Sequence, residues 1–82
     1  MELLKIRNEL GVSKNVFANR MGLPLRALED LETGRTTTQE VHIRAAFWAA
    51  MELASEMSMP GALPEDVHDI VRKLAATMDA VA

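Results

Sequence analysis

Residues 14–33, Lys-Asn-Val-Phe-Ala-Asn-Arg-Met-Gly-Leu-Pro-Leu-Arg-Ala-Leu-Glu-Asp-Leu-Glu-Thr, constrain this chain more than any other stretch. Two short segments with helical apolar spacing meet across Gly22-Leu23-Pro24. Glycine reaches positive φ at no steric cost, and proline fits a helix start because its missing N–H has no partner there anyway. Phe17, Met21, Leu23, Leu28 and Leu31 fall where apolar contacts seal one helix onto the next, and Ala18 is the small residue at their crossing. The spacing predicts two helices joined by a tight turn, about 14–21 and 24–33, with Ser13 as N-cap of the first. Val16, Phe17 and Met21 are expected to face inward, and Gly34 to close the second helix.

The flanks carry the same periodicity. Leu3, Ile6 and Leu10 stripe a first helix over about 2–10, ended by Gly11. Thr36-Thr37-Thr38 reads as a loop, and Thr37 with Glu40 fits a capping box for a fourth helix over about 38–57. At 100° per residue, Ile43, Phe47, Ala50, Ala54 and Met57 share its expected core face. Val41, Ala45, Trp48 and Ala49 lie on the other side, beside Glu52. Ser58-Met59-Pro60-Gly61 breaks the chain, and Pro64 opens a last helix over about 64–80 with Glu65 and Asp66 in its first turn, where the helix dipole favours anions. Val67, Ile70, Val71, Leu74, Met78 and Val81 form its stripe. No run alternates with period two, so the expectation is an all-α fold: one compact five-helix domain spanning residues 1–82.

A chain of 82 residues buries only about 60–65% of its extended surface, and 49% apolar residues suffice for a single efficient core. Without cysteine there is neither disulfide nor thiolate metal site. Glu2, Lys5 and Arg7 interrupt the first apolar run, and no stretch reaches the roughly 20 apolar residues of a membrane span, so a soluble cytoplasmic protein without membrane association is expected.

Two charged halves differ. Residues 1–35 carry six basic and five acidic side chains, and residues 36–82 carry three basic and seven acidic, for a net charge of −3. Proteins that hold DNA are usually basic, because phosphate contacts supply most of the affinity.

The Ala18-x-x-x-Gly22 spacing, Leu28 and Leu31, together with Leu10-Gly11 and Glu32-x-Gly34, resembles the Cro/C1-type helix-turn-helix (Xre) family over residues 3–57. The resemblance implies a compact helix-turn-helix domain. It also implies a structural pair between an Arg of the first helix and a Glu ending the third, here Arg7 and Glu32, beside the scaffold residues Ala18 and Gly22. It further implies phosphate contact at the start of the second helix, at Lys14, and base contacts from Leu25, Arg26 and Asp30, with Glu29 adjacent.

That reading face is a poor one for DNA. Arg26 suits a base edge and Leu25 could touch a thymine methyl, but Glu29 and Asp30 accept only from cytosine amino groups and repel phosphate. Lys14, Arg26, Arg35 and at most Arg20 are left to supply cations. An apolar residue ringed by charges of both signs is what a protein-binding patch looks like. Leu25 is also readable as a single exposed leucine, which is common. Trp48 reads either as core beneath the last helix or as an interface anchor. The last helix reads either as docked on its own domain or as a dimerisation element, leaving monomer and homodimer both open.

His42 and His68 lack companions at metal-ligand spacing and read as surface or capping residues. The six methionines read as core filler. No nucleophile–base set, phosphate loop or metal cluster is present, so neither an enzyme nor a cofactor is expected. Size, acidic balance and an acidic third helix also resemble the small QseM-type antiactivators of mobile genetic elements. That resemblance implies binding and inhibition of a transcriptional activator, quorum-sensing activators included, to keep conjugative transfer off. The partner expected on this reading is an activator protein, bound through Leu25, Arg26, Glu29 and Asp30, with Trp48 a further contact. The competing expectation is a dimeric Cro-like repressor, or an antitoxin, holding duplex DNA through Lys14, Arg26 and Arg35.

Overall fold

Apolar residues recur every three or four positions, and the backbone coils accordingly. The computed structural model describes residues 2–81, with side-chain environments through Asp79. Five helices follow in order: α1 Glu2–Leu10, α2 Lys14–Met21, α3 Leu25–Thr33, α4 Glu40–Glu56 and α5 Glu65–Val81, with a single 3-10 turn at Pro60–Ala62. No strand occurs among the described residues, so the fold is a small all-α one.

α1 buries Leu3, Ile6 and Leu10. The Ser13 hydroxyl accepts the Val16 N–H at 3.3 Å and starts α2. α2 buries Phe17, Ala18 and Met21, whereas Val16, expected inside, is 41% exposed. At about 100° per residue the buried face of α2 runs from Phe17 through Met21 to Ala18, and Val16 falls outside its Phe17 edge.

Gly22 stands at φ 79°, and two hydrogen bonds close the helix: Gly22 N–H to the Asn19 carbonyl at 3.1 Å and Leu23 N–H to the Ala18 carbonyl at 2.9 Å. This is the Schellman pattern, and it turns the chain directly into α3. Pro24 is the N-cap of α3 rather than its first residue: its ψ of 150° is extended, while its carbonyl already accepts from Ala27 and Leu28 at 3.0 and 3.3 Å. Leu28 and Leu31 of α3 are buried.

α4 begins two residues later than the sequence reading. The Thr36 N–H bonds back to the Asp30 carbonyl at 3.1 Å, holding the loop against α3. Gln39 is the N-cap, and its N–H donates to His42 Nδ1 at 2.9 Å. The Thr37–Glu40 capping box therefore does not form: with Gln39 as cap, the third helical position belongs to His42. His42 thus caps a helix.

The buried face of α4 is Ala46, Ala49, Ala50, Leu53 and Ala54, with Ile43 and Phe47 partly buried at its edge. Ala49 is core rather than surface, and Met57 is 36% exposed. The reason is size: four alanines let the α4 backbone approach α1 and α2 closely, and close approach outweighs placing the larger side chains inward. The same rotation leaves Trp48 59% and Val41 63% exposed, so the only tryptophan is not core beneath α5.

α4 ends in a second Schellman turn. Ser58 N–H meets the Ser55 carbonyl at 3.3 Å and Met59 N–H meets the Ala54 carbonyl at 2.8 Å, with Ser58 at φ 53°. α5 then leaves the body. Its expected core stripe is seated at Val67 alone, which is 4% exposed. Ile70, Leu74 and Met78 are each about 60% exposed or more, and Val81 lies outside the described side chains. The molecule measures 46 × 23 × 18 Å with a radius of gyration of 13.6 Å, against about 11.7 Å for a compact chain of this length.

Candidate functional site

The face of α3 is built from a helix that Leu28 and Leu31 pin to the core, so Leu25, Arg26, Glu29 and Asp30 are left on its outer side. Arg26 is exposed, and Leu25, Glu29 and Asp30 are half-buried. The C-terminal end is held by the Thr33 hydroxyl, which donates to the Glu29 carbonyl at 2.9 Å.

Behind this face lies the Arg7–Glu32 pair. Arg7 Nε meets Glu32 Oε2 at 2.7 Å, Nη2 meets Oε1 at 3.2 Å, and Nη1 donates to the Val12 carbonyl at 3.2 Å. The side chains retain 15% and 5% of their exposure. One guanidinium thus ties α1, the α1–α2 turn and α3 together through a forked geometry that lysine cannot reproduce.

The cations on the outer side have acidic neighbours. Lys14 Nζ lies 3.9 Å from Glu29 Oε2, and Arg26 Nε lies 3.9 Å from Asp30 Oδ1. Exposed pairs at this distance are worth only about 0–1 kcal/mol, so they are not what fixes the face. Their weight is electrostatic. A phosphate approaching Lys14 or Arg26 meets a carboxylate well within the roughly 10 Å screening length of ordinary salt.

Arg20, a further candidate for phosphate contact, is turned to α4. Its Nη2 meets Glu56 Oε1 at 2.7 Å, its Nη1 bonds Glu56 Oε2, and Glu52 lies 3.9 Å away. The hydrogen bond to Arg20 holds the Glu56 carboxyl below the ordinary carboxylate range and raises the guanidinium. Arg35 is exposed after Gly34.

The structure therefore brings Leu25, Arg26, Glu29, Asp30 and Lys14 to one side of α2–α3 and places Trp48 elsewhere, exposed on α4. Sequence reasoning missed the Arg20–Glu56 bridge. Its partners are 36 residues apart, and no local spacing signals it. Among the described residues, no three His, Asp or Glu side chains converge as a metal site, and no helix is long and apolar enough to cross a membrane. The sequence matches no protein-family model, and no curated protein or solved structure is significantly similar to it.

Proposed function

We propose that this chain is a Cro/C1-type helix-turn-helix domain that binds a transcriptional activator protein and holds it inactive. α2 and α3 are the two helices of the motif, and Leu25, Arg26, Glu29 and Asp30 are its contact face. One observation carries this reading: two of the three cations that would hold DNA, Lys14 and Arg26, sit 3.9 Å from carboxylates of α3 itself. Such a face holds phosphate only weakly, because each cation is offset by a carboxylate, yet it offers Leu25 as an apolar centre within a charged rim, the layout of a protein interface. The rigid backing from Leu28, Leu31 and Arg7–Glu32 keeps it preorganised, which lowers the ordering cost of binding.

A titration against duplex DNA, including the region upstream of the chain's own gene, at about 50 and 150 mM salt tests it. No binding tighter than millimolar is expected at the higher salt. Micromolar binding with a steep salt slope defeats the proposal in favour of a Cro-like repressor using Lys14, Arg26 and Arg35. The positive arm is binding to purified activators encoded beside the gene. Leu25→Asp and Asp30→Arg are expected to abolish it while leaving the helical content unchanged.

A further inference from the structure

A cleft of about 640 Å³ opens between α1, the 3-10 turn and the start of α5. Its inner side is apolar: Ile6 is 5% exposed, and Phe47 and Leu63 are half-buried against the core. Its rim carries four exposed carboxylates, Glu2 and Glu9 on α1 and Glu65 and Asp66 in the first turn of α5.

These carboxylates differ from the others in the chain. Of the twelve acidic side chains, seven lie in ion pairs with a lysine or arginine. Among the described residues, Glu2, Glu9, Glu65, Asp66 and Asp79 have no such partner, and four of these five line this one cleft. Lys5 stands between Glu2 and Glu9 on α1 and pairs with neither. With Lys5 included the cleft carries −3, the whole net charge of the chain. Helix dipoles favour Glu2, Glu65 and Asp66, which lie in first turns. Glu9 lies in the last turn of α1, where the dipole disfavours an anion, so neither dipole nor ion pair supports it.

We propose that this cleft docks a basic segment of a partner protein, in which lysines or arginines flank one large apolar side chain. The apolar side chain enters over Ile6, Phe47 and Leu63, and the cations meet the carboxylates of both banks.

Charge complementarity selects this occupant. The carboxylates are spread out: Glu2 and Glu9 are two helical turns apart, about 10 Å along α1. Among the described residues, no three of them converge as a metal ion requires. A small amine meets one bank and leaves the other uncompensated, whereas a peptide carries cations at intervals that reach both. Nucleic acid and anionic lipid are repelled. The apolar inner side rewards burial of a side chain and strengthens the charge pairs formed beside it. The cleft shares no residue with the α3 face, so this inference does not rest on the activator reading.

Titration of the isotope-labelled full chain with the peptide Arg-Arg-Gly-Leu-Gly-Arg-Arg, followed by NMR, tests the proposal. Saturable binding is expected, with amide shifts in α1, at residues 60–66 and at Phe47, and none in α3. Glu9→Lys is expected to weaken binding about tenfold, because one attraction becomes a repulsion. It places a cation at the end of α1 that favours one, so the helical content is expected to be unchanged. Lys5→Glu is expected to tighten binding. Asp79→Lys changes the net charge as Glu9→Lys does, but lies about 20 Å along α5 from Asp66, beyond the screening length, and is expected to alter binding less than about twofold.

Absence of saturable binding overturns the proposal, as do shifts centred elsewhere. Equal weakening by Asp79→Lys and Glu9→Lys reduces the effect to net charge and overturns it too. A peptide with serine in place of leucine that binds equally well removes the apolar contact, and spermidine that binds equally well removes the protein segment; either result overturns the assignment. Leu25→Asp and Asp30→Arg are expected to leave this binding intact, so the cleft and the α3 face fail or stand separately.

Discussion

Arg7 and Glu32 show what single side chains contribute here. The pair is forked, mostly withdrawn from water, and shared among three segments. Removing either partner strands a charge, which costs about 3 kcal/mol in comparable sites. Arg7→Ala and Glu32→Ala are each expected to lower the unfolding free energy by that amount in urea, and Arg7→Lys to recover less than half. Two near-neutral results would show that the pair is ornamental. Ser58 is a residue of the opposite kind. At φ 53° it occupies the left-handed region with a Cβ, where glycine sits at the ends of α2 and α3. Ser58→Gly is expected to stabilise the fold by about 1 kcal/mol, read as a higher urea midpoint at unchanged m.

Among the elements, α4 organises the body because it packs on α1, α2 and the 3-10 turn. Its buried face is mostly alanine, so its position is set by backbone approach. Ala50 is fully buried, and Ala50→Leu is expected to destabilise by about 1–3 kcal/mol through overpacking, measured by denaturant unfolding.

The Arg20–Glu56 bridge joins α2 to the end of α4 and makes that junction sensitive to acid. The folded carboxyl has a depressed pKa, so its contribution is complete above its unfolded value near 4.5 and fades as pH falls through the lower folded value. Unfolding midpoints from pH 7 to 3 are expected to fall less steeply below about 4.5 in Glu56→Gln than in the parent. The difference should shrink in high salt, because the pair is exposed.

At the scale of the whole molecule, α1–α4 form a sealed body and α5 an arm fixed at Val67. The body holds the α3 face rigid, and the arm leaves Ile70, Val71, Leu74 and Met78 exposed. Such a division gives unequal local stability, because the arm's helix lacks tertiary support beyond its anchor. In hydrogen exchange at high dilution, amides of Leu74–Asp79 are expected to exchange far faster than those of Ala49–Leu53. Uniform protection along both helices in the monomer would contradict the division.

What the sequence determined by itself was local: five helices, their breaks at Gly11, Gly22, Gly34 and Pro60, the Ser13 cap and the inward Leu28 and Leu31. Each is set by neighbours within one or two turns. The Arg7–Glu32 pair, 25 residues apart, was legible only through family resemblance. The tertiary structure alone decided three further things. It rotated α4 onto its alanines and left Trp48 outside, because close backbone approach cannot be read from hydropathy. It gave Arg20 to Glu56 and set carboxylates beside Lys14 and Arg26, because ion pairs depend on distance in space. It left the α5 stripe unseated beyond Val67, because the body's surface had already been closed by α1–α4. An amphipathic pattern states that a helix needs a partner, and only the packed structure tells whether its own chain provides one.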